Sequence, residues 1–222
     1  MNKKFQIAQG RPYLGSRDID LGFHLEKNAT AEQMKISQIA KSLQIMQDKL
    51  KFKSVSFRLV KEIHTETEEE IGENKSIPAH FIFPMYVDVI VDNIPKDFKS
   101  VFGFQPVDEP LLQFVFDKKK YRTELHEFNR KIWMPTVDVL IATKIHALQL
   151  RDKEHKKIKD ICDIFALIWY GDELPRLTEN VAQLVPHLSK RLSIITKADY
   201  QKASVQLNHT FEEIERVINT LR

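Results

Sequence analysis

The sequence predicts an α+β fold: strands and helices in the first half, then a mostly helical second half. Three patterns carry this. Apolar and polar residues alternate over 17–25 and 54–63, and 81–92 is a long, mostly apolar strand pattern. Apolar residues recur at helical spacing over 30–51. From Pro135 the helical spacing persists to the C-terminus. The division expected is an α+β core at 1–135 and a helical domain at 136–222.

Taken in order, 17–25 reads as a strand with Ile19, Leu21, Phe23 and Leu25 on one parity and Asp18 and Asp20 on the other. Thr30-Ala31-Glu32-Gln33 is a capping-box pattern that opens one helix through Ile36, Ile39, Leu43, Met46 and Leu50, ending near Lys51. Residues 54–63 read as one strand, and the acidic stretch 66–73 as a loop or hairpin tip. Residues 81–92 read as a long strand bent or bulged at Pro84, with Val87, Val89 and Val91 on one face and Asp88 and Asp92 on the other. Residues 111–116 and 121–126 suggest a hairpin around Asp117-Lys118-Lys119-Lys120, and 131–134 a short added strand. Helices are expected at 137–150, 155–170, 176–185 and 204–221. The last carries Leu207, Phe211, Ile214, Ile218 and Leu221 on one stripe.

Composition excludes several classes. The 222 residues are 42% hydrophobic and 29% charged, an ordinary globular balance. The formal charge of +3 allows local basic patches without requiring a nucleic-acid partner. The single cysteine, Cys162, rules out an internal disulfide and reads as a core residue in an apolar helical run. No apolar run approaches the ~18 residues of a membrane span, and Met1-Asn2-Lys3-Lys4-Phe5 has no apolar region behind it, so a cytoplasmic protein is expected. There is no Gly-rich P-loop, no G-x-G-x-x-G and no G-x-S-x-G. The eight histidines show no metal-ligand spacing. His24 and His146 fall beside candidate residues, where structural roles are expected of them.

The chemistry-bearing stretch is Gly15-Ser16-Arg17-Asp18-Ile19-Asp20-Leu21. Two residues apart on a strand, Asp18 and Asp20 point the same way and can converge on one hard cation such as Mg²⁺ or Mn²⁺. Asp88, flanked by valines on its own strand, is the third carboxylate. If the two strands are neighbours, all three can meet. Metals held by three carboxylates suit in-line phosphoryl or nucleotidyl transfer, and Asp88 would be placed to orient or deprotonate an attacking hydroxyl. Asp92 has the same parity but reads as a solvent-facing polar residue.

A second constellation is Lys144-Ile145-His146-Ala147-Leu148-Gln149-Leu150-Arg151, followed by Lys159-Asp160-Ile161-Cys162-Asp163-Ile164. Lys144 and Arg151, seven apart, are expected on one helical face. Lys144 can serve as a point charge for triphosphate oxygens. Asp160 and Asp163 can instead pair with these cations in a network joining two helices. Both roles stay open for Asp160, and the network is the expected role of Asp163. The basic run 151–159 can be a solvated surface or can hold an RNA backbone by charge.

Gly-Arg-Pro-Tyr-Leu-Gly-Ser-Arg-Asp-Ile-Asp-Leu (10–21), Tyr-Val-Asp-Val (86–89), Lys-Ile-His-Ala-Leu-x-x-Arg (144–151) and Lys-Asp-x-x-Asp-Ile (159–164) together resemble the AbiEii/AbiGii type of nucleotidyltransferase, in the DNA polymerase β-like superfamily. The resemblance covers roughly 8–170. It implies a polymerase β-like core with a mixed sheet, followed by a helical C-terminal domain. It also implies Mg²⁺- or Mn²⁺-dependent transfer of nucleotides from an NTP to an acceptor such as tRNA, and a toxin with a cognate antitoxin protein. Asp18, Asp20 and Asp88 would be metal ligands, Lys144 and Asp160 would match the family's essential lysine and distal aspartate, and Ser16, Lys144 and Arg151 would contact the nucleotide.

The chain departs from that pattern at its start. The family places a strand and a Gly-Gly or Gly-Ser turn well before the Asp-x-Asp, where the backbone can approach the triphosphate. Gly15-Ser16 lies too close to Asp18 to be that turn, and 4–8 reads like the helix that follows it. The expectation is a core truncated or mis-started at its N-terminus, in which triphosphate binding is impaired. An upstream reading frame encoding the turn would support this, and an in-frame stop immediately upstream would sink it. The alternative function is a catalytically inactive remnant that binds nucleotide, RNA or a partner protein. A metal-dependent nuclease or phosphotransferase is a third class, disfavoured because no His or Lys general-base motif adjoins the carboxylates.

Overall fold

A computed structural model of the chain describes residues 2–10, 18–56, 58–72, 77–125, 132–171 and 176–222. The chain forms two compact units, Gly15–Gln113 and Met1–Leu14 with Phe114–Arg222. The boundary expected at 135/136 falls inside the second of these. Among the described residues, no helix is long and apolar enough to cross a membrane.

The first helix, α1 (Asn2–Gln9), groups with the helical unit. The sheet unit then runs β1 (Asp18–Phe23), α2 (Ala31–Lys35), α3 (Gln38–Gln44), a π turn (Ile45–Lys49), β2 (Lys53–Val55), β3 (Arg58–His64), β4 (Ile82–Val91), α4 (Phe98–Phe102) and β5 (Val107–Asp108). Its strands lie in the order β1-β4-β3-β2. β1 pairs with β4 in parallel and β3 pairs with β4 antiparallel, so the sheet is mixed as expected. β5 joins β4 at Ile90 and Val91, just beyond the point where β3 begins at Arg58 opposite Asp88.

The alternation in β4 sets the register. Val87, Val89 and Val91 are buried, as is Leu59 of β3, beneath Met34, Ile39, Leu43 and Phe98 of the helices. Each buried valine contributes roughly 1.5–3 kcal/mol. A slip of one residue would expose all three and drive Asp88 into the core, so burial holds the pairing. The opposite face of the sheet then carries the even-numbered side chains of β1, β4 and β3.

Several local expectations change. The helix expected over 30–51 opens with the Thr30–Gln33 capping box as read, but it breaks at Ser37. The Ser37 hydroxyl donates to the Met34 carbonyl at 2.6 Å and accepts from the Ala40 N–H, so it starts a new helix, α3. Ile36 is left exposed while Ile39 and Leu43 stay buried. The strand expected over 54–63 is a hairpin of β2 and β3, turning at Ser56 with φ +58° and pairing Val55 with Arg58. β4 runs through Pro84 in regular register with Glu62, without a bulge.

The hairpin expected at 111–116 and 121–126 does not form. Leu112–Asp117 is a helix, α5, burying Leu112 and Val115 one turn apart. The run Leu111-Leu112-Gln113-Phe114-Val115-Phe116 suits either period, and burial of one side chooses the helix. Arg122 donates to the carbonyls of Val115 and Phe116 at its C-terminal end. β6 (Arg122–Leu125) pairs instead with β7 (Ile132–Pro135), the short strand expected there. α6 (Val137–Leu148), α7 (Glu154–Trp169) and α8 (Leu177–Leu184) lie close to expectation. α9 (Leu188–Leu192) was not anticipated. The helix expected at 204–221 is two, α10 (Lys197–Leu207) and α11 (Phe211–Asn219). Asn208 turns left-handed between them, and Thr210 caps the second in a box with Glu213. The stripe survives the break: Leu207, Ile214, Ile218 and Leu221 are buried.

Candidate functional site

The polar face of the mixed sheet carries the three expected carboxylates. The parallel register sets Asp18 opposite Tyr86 and Asp20 opposite Asp88. On the other side of β4, the antiparallel register sets Arg58 opposite Asp88. Asp20, Asp88 and Arg58 therefore form a row across three adjacent strands, each strand ~4.8 Å from the next. Asp88 is buried, Asp18 is half-buried and Asp20 is exposed.

Arg58 is the residue that sequence reasoning missed. Its Nη2 donates to Asp88 Oδ2 at 2.9 Å and its Nη1 stands 3.7 Å from Asp18 Oδ1. The guanidinium also lies 4.6 Å from the centre of the Tyr86 ring. A guanidinium keeps its charge at any physiological pH, so it is a fixed cation among these carboxylates. With 54–63 read as one strand, nothing in the sequence marked Arg58 as the first residue of β3.

The donor set has the chemistry for a hard cation: carboxylate oxygens alone, on two strands in register. Among the described residues, however, no three His, Cys, Asp or Glu side chains are gathered tightly enough to hold a metal ion. The present arrangement serves the guanidinium. Ser16 and its Gly-Ser turn lie outside the described residues.

Asp92 is not the solvent-facing residue expected. It is 3% exposed, just beyond β4, and its Oδ1 accepts from the Leu25 N–H at 3.0 Å. Its Oδ2 meets His24 Nδ1 at 2.5 Å. That hydrogen bond is the main reason the His24 pKa is raised, against a smaller opposing effect of burial. Four strand residues, about 13 Å, separate Asp92 from Asp88. Asp92 and His24 thus tie the strand ends together, apart from the carboxylate row.

In the helical unit, Lys144 of α6 and Asp160 and Asp163 of α7 also meet. Lys144 Nζ lies 2.8 Å from Asp163 Oδ2 and 3.4 Å from Asp160 Oδ1. Arg151 clasps Asp160 through Nε at 2.5 Å and Nη2 at 3.3 Å. Lys159 pairs with Asp163 from the same helix. Arg151 does not share a helical face with Lys144, because α6 ends at Leu148 and Arg151 reaches Asp160 from the following loop. Burial opposes the charge on Lys144, but Asp163 and Asp160 outweigh it and raise its pKa. Burial likewise opposes the charge on Asp163, and Lys144 and Lys159 outweigh it, lowering that pKa. The network anticipated for Asp163 is present and includes Asp160. Lys144 keeps a third of its side chain accessible, at 33%. Cys162, between the two aspartates, is buried as expected.

No family model and no curated protein sequence matches this chain. One solved structure that resembles it is described as an antigenic nucleotidyltransferase-like protein from Paracoccidioides brasiliensis. The two are 16% identical, over 94% of this chain and 82% of that one, with a TM-score of 0.44.

Proposed function

We propose that the chain is a Mg²⁺- or Mn²⁺-dependent nucleotidyltransferase acting from the polar face of its mixed sheet. One observation carries this: the parallel register of β1 and β4 sets Asp18, Asp20 and Asp88 on one face, with Asp20 directly opposite Asp88. Asp18, Asp20 and Asp88 would hold the ion, which when bound supplies charge neutralisation for the phosphates of an NTP. Asp88 faces its surroundings with one oxygen held by Arg58. Its part is to orient an acceptor hydroxyl and take its proton. Lys144 and Arg151 are cations of the type that serves phosphate oxygens, although both are engaged with Asp160.

The tRNA acceptor, the toxin role, the cognate antitoxin and a cytoplasmic location rest on the resemblance of 10–21, 86–89, 144–151 and 159–164 to AbiEii/AbiGii-type enzymes. The test is incubation with Mg²⁺, each labelled NTP in turn and total RNA, with Asp18→Asn as control. Label transferred to RNA by the wild type alone supports the proposal and names the nucleotide. Growth arrest on expression of the wild type, relieved by Asp18→Asn, would support the toxin role.

A second function has its own observation. Arg58 already pairs with Asp88 and Asp18, and Lys144 with Asp160 and Asp163, an arrangement suited to binding without turnover. In that case the chain binds nucleotide, RNA or a partner protein and catalyses nothing. NTP binding with no transfer to any acceptor would decide for it.

A further inference from the structure

We propose that Arg58 is the built-in counter-cation of the carboxylate face, and that a divalent ion binds there only in exchange for it. This rests on the metal-dependent function proposed above. Three features place Arg58 in this role. The β2–β3 turn starts β3 at Arg58, directly opposite Asp88. The guanidinium reaches carboxylates on two strands, at 2.9 Å from Asp88 and 3.7 Å from Asp18. Tyr86, the residue of β4 opposite Asp18, presents its ring to the same guanidinium at 4.6 Å.

The physical argument is competition for oxygen atoms. A Mg²⁺ or Mn²⁺ ion needs carboxylate oxygens at ~2.0–2.2 Å. Asp88 Oδ2 is engaged by Arg58 Nη2, and a divalent ion on that oxygen would sit against a like charge. The arginine cannot relieve this by losing its proton, so it must move. Its contact with Tyr86 gives it a partner that does not compete for the carboxylates. Ion entry and arginine release are thus one event, and the chain holds its carboxylate face neutralised until an ion or an ion–nucleotide complex arrives. The device sets the affinity for the ion rather than the chemistry of transfer.

Binding of Mn²⁺ alone to the full chain is the first measurement, by electron paramagnetic resonance of the free ion, for the wild type, Arg58→Gln and Asp88→Asn. The expected result is at least tenfold tighter binding by Arg58→Gln than by the wild type, and none by Asp88→Asn. Wild-type binding with equal or weaker binding by Arg58→Gln would overturn the exchange and leave the metal-dependent function standing. No binding by either protein would overturn both. If Arg58→Gln does not fold, a Mg²⁺ titration of the wild type decides. The Arg58 Nε–H resonance, assigned by its loss in Arg58→Lys, must shift as Mg²⁺ saturates the protein. Saturation without a shift overturns the proposal.

Discussion

Replacing Asp160 with asparagine keeps the shape of the side chain and removes the charge that holds two cations. Asp160 has 2% of its side chain exposed and faces Arg151 at 2.5 and 3.3 Å and Lys144 at 3.4 Å. Removing one partner of a buried pair costs about 3–5 kcal/mol. Here the orphaned cations retain access to water, 33% for Lys144 and 30% for Arg151, and can turn outward. Discounting for that screening leaves about 2–3 kcal/mol. At about 2–4 °C per kcal/mol for a chain of this size, the melting temperature should fall by roughly 4–12 °C. Far-UV circular dichroism at pH 7 measures it, with Lys144→Met alone and in combination. The pair should couple by more than about 0.5 kcal/mol, since the side chains share a network. A fall below about 2 °C, or full additivity, would refute the structural role. Loss of nucleotide transfer at unchanged melting temperature would give Asp160 the part that the family resemblance implies instead.

Three further outcomes follow from the charge environments. The pKa of Asp163, held below the ordinary carboxylate value of 3.8, means stability present above that value and lost as pH falls through the folded pKa. Asp163→Asn should therefore flatten the acid limb of a urea-denaturation series taken below pH 3.8. His24 has the opposite sign: its contribution is complete below the ordinary 6.5 and is lost as pH rises through its higher folded pKa. An NMR titration should place its midpoint above 6.5, and Asp92→Asn should bring it down. Burial pushes the Cys162 thiol up to about 12. A disulfide reagent at pH 8 should leave the native protein unmodified and react once it unfolds, because the thiolate is the attacking species. Prompt reaction of native protein would show that the α7 surface around Cys162 opens.

The sequence by itself determined what depends on neighbours along the chain. Alternation around Val87, Val89 and Val91 put Asp88 on the polar side of a strand, and the same parity put Asp18 and Asp20 together. The Thr30–Gln33 box and the extents of α6 and α7 were legible because capping and helical spacing act within a few residues. That Asp160 and Asp163, three apart on one helix, can pair with Lys144 or Arg151 was legible too, while the assignment of each cation to its carboxylate came from the packing of the helices. Only the tertiary structure decided that β1 lies beside β4, that Asp20 stands opposite Asp88, and that Arg58 of β3 closes the row. Strand pairing brings together residues as far apart as 20 and 88, and no local pattern encodes which edges meet. The same limit explains Leu112–Asp117, where an apolar run fits a strand or a helix until burial of Leu112 and Val115 chooses. It also explains Asp92, whose polar identity suggests water while the Leu25 N–H and the His24 ring, both distant in sequence, are what satisfy it inside the fold.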